Sequence, residues 1–236
     1  MKTPEKIMIY IILLALTVIF FYIERLTHIE FLLHVAAIPL DALIIVFIVE
    51  RFLHHREMQG KRRQLMYIKS YLFRSDMRNL FMLNFRALES PPITLSQIKN
   101  ASLRELKKMR EAANKVGYKS ADLMEPLINE YVKTQMVWQN FLDLAINYDL
   151  EDIFENMVYL LHFIQDMKLI KNENPDKRII DEVAKRKDLM QKVDKVLGNG
   201  IRSFLDYAIE LKMKNIEMFD QIMNDYELAI QTIDQK

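Results

Sequence analysis

The stretch FLLHVAAIPLDALIIVFIVE, residues 31–50, decides how the chain is read. Residues 31–49, as a helix rising ~1.5 Å per residue, reach about 28 Å, close to the ~30 Å hydrocarbon core of a bilayer. The run reads as a membrane span, yet Asp41 stands near its middle, two residues after Pro39. An aspartate at a helix centre costs about 2.5–3.5 kcal/mol on insertion. The surrounding Ile, Leu, Val, Phe and Ala outweigh that cost, so the run inserts, but Asp41 must not face lipid. In a structural reading, Pro39 frees the carbonyl near Val35 and bends the helix. A protonated Asp41 then bonds Thr17 of an antiparallel first span, or a neighbouring subunit. In a second reading, Asp41 residues ring a cation or proton path in an oligomer. His34, seven residues earlier on the same face, would belong to that path, although a lone histidine there is more often a packing residue. In a third, a shallower, bent segment lets Asp41 meet water.

Working outward, residues 7–23 carry no charge and span about 26 Å by the same rise. Lys2 and Lys6 precede them. No small-x-small cleavage pattern follows, so the run is expected to be a retained anchor rather than a signal peptide. The connector ERLTHIE, residues 24–30, is too short for a sensing domain. Beyond the second run, Arg51, Arg56, Lys61, Arg62 and Arg63 crowd one side, whereas the connector has only Arg25 beside Glu24 and Glu30. Basic residues stay inside and can touch anionic headgroups. The expectation is a multi-pass protein of the cell's inner (plasma) membrane with both termini cytoplasmic. Three segments follow: a hairpin over 1–55 with spans at 7–23 and 31–49, a connecting helix over 56–92, and a cytosolic bundle over 93–236.

Composition narrows the remainder. The 236 residues hold 33 basic and 32 acidic side chains, no field for nucleic acid. Cysteine is absent, which removes disulfides and thiolate metal sites. Only 4 glycines occur, none in a phosphate-cradling pattern, while methionine reaches 15. Such a balance favours helix nearly throughout. The fold class expected is all-α: a two-helix transmembrane hairpin followed by a cytosolic antiparallel helical bundle.

Local signals set the bundle's elements. The second span is expected to run on past Gly60, a weak point, into YIKSYLFRSDMRNLFMLNF, residues 67–85, which is apolar on several sides and so is either buried in the bundle, the blander reading, or laid at the lipid surface. Pro91 and Pro92 stop that helix. TLSQ at 94–97 and SLRE at 102–105 are capping boxes, with helix expected to about Val116 and no convincing strand. A further helix begins after Ser120 or at Pro126 and runs through about Tyr148. Asp149 caps the next, with Asp152 in the capping-box position. Asn174 and Pro175 are expected to start another, closed by GNG at 198–200. The last helix should bend near KMKNIE, residues 212–217. Phe154, Met157, Leu161 and Ile164 read as core.

No constellation points to catalysis. Glu-x-x-His, the mark of a di-metal bundle, is missing. His162 with Asp166 and Glu155 shares one helix face, which does not close a metal site. No glycine-bearing elbow exists for a nucleophile. Trp138 reads as core or as an interface anchor. The alternating charges of LRELKKMREAANK and DKRIIDEVAKRKD read as solvated faces. No catalytic, cofactor or metal residue is therefore expected.

The two spans, with the basic GKRRQLMYIK and the SYLFRSDMRNLF after it, resemble uncharacterised bacterial membrane proteins with two N-terminal transmembrane helices and a helical cytosolic domain. The resemblance covers about the first third of the chain and implies architecture and location, not an activity. The function expected is a non-enzymatic, membrane-anchored interaction or regulatory module, self-associating and bound to a cytosolic protein partner. The alternative is a small ion or proton channel, or a channel subunit, built on Asp41.

Overall fold

A computed structural model describes the backbone of residues 3–27, 30–147 and 151–234. The chain is 86% helical and nearly all-α, with eleven helices among the described residues. It divides into two compact units, residues 1–65 and 66–236. The expected connecting segment, 56–92, is thus not a separate element: from residue 66 onward it supplies core side chains to the second unit. Lys2 and Asp149, with the side chains of Lys6 and Asp152, lie outside the described residues.

In the first unit, α1 (Thr3–Thr27) carries the first apolar run and α2 (Glu30–Arg74) the second. Helix α2 is assigned unbroken through Pro39 and Gly60, so neither residue ends it. Most large apolar side chains here are exposed, among them Ile11, Val18, Ile45 and Ile48. The Tyr10 hydroxyl donates to Glu50 Oε2 at 2.5 Å, tying the first turns of α1 to the far end of the second run.

The second unit opens with the last turns of α2, and α3 (Arg78–Ala87) follows after a short turn. A short strand, β1 (Leu88–Ser90), comes next. Helices α4 (Leu95–Asn100) and α5 (Leu103–Ala112) follow, and then β2 (Gly117–Tyr118). The two strands pair antiparallel, Leu88 with Tyr118, where no strand was expected. Two-residue pairings have no periodic signature to read, and this one exists because Gly117 comes back beside Ser90. Both capping boxes form as expected. The Thr94 side chain accepts from Gln97 N and Ser102 from Glu105 N, each reciprocated. They start two short helices rather than one reaching Val116.

Helices α6 (Ala121–Lys133) and α7 (Gln135–Asn147) were expected as one. Thr134 separates them. Its hydroxyl donates to Glu130 O at 2.8 Å and accepts from Trp138 Nε1 at 3.1 Å, which gives the buried indole its partner. Helix α8 (Glu151–Glu173) packs along α7. It buries Leu160, Phe163, Ile164 and Met167. Phe154 is exposed and Met157 and Leu161 half-buried, so the expected stripe was rotated by about one position except at Ile164.

No helix starts at Pro175. Lys177 N returns to Asn174 O in a turn, the Lys171 ammonium donates to the carbonyls of Pro175 and Lys177, and α9 (Ile179–Val183) begins later. GNG does not close a helix either. Helix α10 (Lys187–Lys214) runs through it and α11 (Ile216–Asp234) follows a break at Asn215, within the expected bend. The glycines serve close approach instead of termination. A Cβ on Gly198 would lie 2.8 Å from Val116 Cγ2, and one on Gly200 would lie 2.5 Å from the Tyr131 hydroxyl.

Helix α10 is the axis of this unit, contacting α3, α5, α8, α9 and α11. Around Phe204 the rings of Phe81, Phe85 and Tyr226 lie 5.1, 5.1 and 5.4 Å away, and Phe73 stacks on Phe81 at 4.5 Å. Burying rings of this size supplies the main drive for assembly, and offset or edge-on pairs add about 0.5–1.5 kcal/mol each.

Candidate functional site

The intramembrane and basic-cluster residues singled out from the sequence lie in the first unit. Asp41 and His34 are exposed, Pro39 is buried and Thr17 is half-buried. Thr17 does not meet Asp41 as expected. Its hydroxyl donates to Leu13 O of its own helix at 3.0 Å, the usual resting place for a threonine in an apolar helix. Among the described contacts, no hydrogen bond or ion pair joins Asp41, His34 and Thr17. In the basic cluster, Arg51, Arg62 and Arg63 are exposed. Arg56 lies 5.4 Å over the Phe52 ring and Lys61 pairs with Glu57 at 3.0 Å. His162 is exposed, and no group of three metal-ligating side chains occurs among the described residues.

The second unit holds a cavity of about 420 Å³ that the sequence did not single out. That size lies within the usual range for small-molecule sites, roughly 300–1,000 Å³. Its floor is apolar and aromatic: Phe73, Phe81, Tyr131, Trp138, Leu160 and Val196. These four rings come from two pairs of consecutive elements, α2–α3 and α6–α7, that lie far apart in sequence from each other. Its rim is polar, with Lys69, Arg110, Arg202, Ser203, Asp206 and Glu210.

The floor is held in place by buried polar contacts. Asn84 donates to Leu197 O at 3.0 Å and accepts from the Tyr118 hydroxyl at 3.1 Å. Burial pushes the Tyr131 phenol well above its ordinary pKa, with the Asn84 side chain opposing that rise. Tyr131 therefore stays neutral, stacked 6.1 Å from Trp138.

On the rim, charges are matched unevenly. Arg110 Nε meets Asp206 at 2.7 Å, and Lys214 meets Glu210 at 2.8 Å. Lys69 Nζ is 4.0 Å from Glu210, beyond hydrogen-bond reach, and 5.9 Å from the Tyr207 ring centre. Burial lowers the Lys69 pKa, and Glu210 opposes that fall. Arg202 donates to Ala113 O at 3.1 Å and to the Asn199 side chain, with no ion pair among the described residues. The sequence signal for this site is faint: a lysine and an arginine embedded in two helices whose other faces are core.

No family model, curated protein or solved structure matches this chain.

Proposed function

We propose that the protein is a membrane-anchored, non-enzymatic interaction and regulatory module that associates with itself and with a cytosolic protein partner. One observation carries the reading. Met8–Thr27 forms 20 residues of helix with mean hydropathy 2.1, none of it buried within the chain. Leaving an Ile, Val or Phe side chain in water forgoes about 1.5–3 kcal/mol each. A run with Ile11 60% and Val18 61% exposed needs a bilayer or a protein cover.

The finer architecture belongs to the same proposal. Residues 31–49 are a second span, although the side chains of Leu32, Leu33 and Ala36 lie outside the described residues. The Tyr10–Glu50 bond supports an antiparallel hairpin. The exposed Arg51, Arg62 and Arg63 support both termini on the inner face of a bacterial plasma membrane, in line with the resemblance noted above. Exposed Asp41 within an apolar run supports self-association, because a carboxylate there needs a protein or water neighbour. The same exposure favours the second reading, a small channel lined by Asp41 in an oligomer.

The test is fractionation of cells expressing the full chain, followed by alkaline carbonate washing and protease treatment of intact cells. Retention in the washed membrane with a protected C-terminal portion is expected. Recovery in the aqueous fraction, or digestion of the C-terminal portion from outside, overturns the reading. Liposome flux abolished by Asp41→Asn would select the channel over the module.

A further inference from the structure

We propose that the cavity of residues 66–236 is a binding site for a single-chain amphiphile with an anionic head group. This site stands whether or not residues 7–49 enter a bilayer, because every lining residue belongs to the second unit.

The head group follows from the rim's charge balance. Asp206 and Glu210 are already held by Arg110 and Lys214. Arg202 faces the same space with no ion pair among the described residues, and Lys69 has only a long ion pair to Glu210 Oε2 at 4.0 Å, beyond hydrogen-bond reach. Lys69 is already largely withdrawn from water, with a side chain 26% exposed. An anion arriving there replaces lost hydration with charge-assisted hydrogen bonds, the stronger kind. A cation arriving there would meet Lys69, Arg110 and Arg202, against two carboxylates that are already paired.

The chain follows from the floor. Phe73, Phe81, Leu160 and Val196 offer hydrocarbon and ring faces. The buried side-chain atoms left without partners, Gln135 Oε1 and Arg178 Nη2, do not line it. A peptide's N–H and C=O groups laid against those four side chains would go unmet, at a cost of a few kcal/mol each, and among the uncharged side chains elsewhere in the lining only Asn156, Asn199, Ser203 and the tyrosines offer them partners. A hydrocarbon chain makes no such demand. The polar rim and apolar floor therefore match a carboxylate- or phosphate-headed chain better than an acidic peptide.

Trp138, the single tryptophan, lines the cavity and supplies the readout. The full chain, in nanodiscs if it stays with the membrane and in buffer if it does not, is titrated with a dibrominated stearate, whose bromines quench indole fluorescence at short range. Saturable quenching, reversed by unbrominated stearate, is expected. The corresponding dibrominated alcohol should bind at least tenfold more weakly. Lys69→Met should raise the stearate Kd about tenfold, equivalent to ~1.4 kcal/mol. Ser203→Phe, at an exposed rim position, should block quenching while leaving the helical circular dichroism unchanged. It keeps the test decisive if Lys69→Met folds poorly. Quenching that does not saturate, or equal affinity for stearate and alcohol, overturns the proposal. Quenching by neither probe leaves the cavity to a protein side chain and overturns it too.

Discussion

Gly200 lies directly beneath the Tyr131 hydroxyl: a Cβ on that glycine would stand 2.5 Å from the phenol oxygen and 2.7 Å from Asn84 Nδ2. Both neighbours are buried, and Asn84 is bonded to Leu197 O and to the Tyr118 hydroxyl, so neither swings aside cheaply. Helix α10 approaches α3 and α6 this closely because residue 200 has no side chain.

Gly200→Ala is therefore expected to destabilise the second unit by about 1–3 kcal/mol, an overpacking effect that exceeds the roughly 0.5–1 kcal/mol alanine gains as a helix former. Gly60→Ala, in a helix with nothing within 4 Å of the new Cβ, keeps only the gain. Thermal unfolding of the detergent-solubilised full chain checks both. Equal shifts in one direction would refute the steric account of Gly200.

Tyr226 and Tyr207 both hold the end of α2, but with unequal consequence. Tyr226 donates to Phe73 O at 2.8 Å, and Met77 N, the donor in regular register, goes to Leu72 O instead. Tyr207 donates to Met66 O at 3.1 Å, a carbonyl inside the helix whose ladder partner is present. Tyr226→Phe should leave a buried carbonyl unmet and cost about 1–3 kcal/mol. Tyr207→Phe should cost less, about 0.5–1.5 kcal/mol, the net worth of an ordinary hydrogen bond, although it also removes a partner of the buried Ser70 side chain. Chemical denaturation of the two variants side by side tests the order.

Burial pushes the phenols of Tyr118, Tyr131, Tyr207 and Tyr226 above their ordinary value. In the unfolded chain they ionise near about 10. A raised folded value means that stability is intact below that pH and falls as pH rises beyond it, because the unfolded state gains by losing protons. Tyrosinate absorbance from these four, out of 10 tyrosines, should rise only together with loss of helical signal. Full tyrosinate absorbance in a chain still helical would contradict their burial.

Asp41 and Thr17 should behave independently. Thr17 already donates to Leu13 O, so Thr17→Val is expected to leave the size of the proposed oligomer unchanged. Asp41→Leu should insert more readily and lose defined assembly, since its exposed carboxylate is the polar group that lipid will not accept. Cross-linking in native membranes reads both. Unaltered assembly in Asp41→Leu would argue against its role between subunits.

By itself, the sequence determined what depends on neighbours along the chain. Two apolar runs, helix nearly throughout, the Thr94 and Ser102 capping boxes and the break near Asn215 all follow from short-range pattern and local hydrogen bonding. Tertiary structure alone decided the meaning of GNG, which reads locally as a helix end and serves globally as a gap for Tyr131 and Val116. It also decided the break at Thr134, which satisfies Trp138, and the rotation of the α8 stripe that buries Phe163 in place of Phe154. The cavity belongs with these: Lys69, Trp138 and Arg202 are far apart in sequence and come together only once α10 is packed. The physical reason is range. Periodicity and capping act over one or two turns, whereas close approach and the pairing of buried charge depend on which helices become neighbours in space.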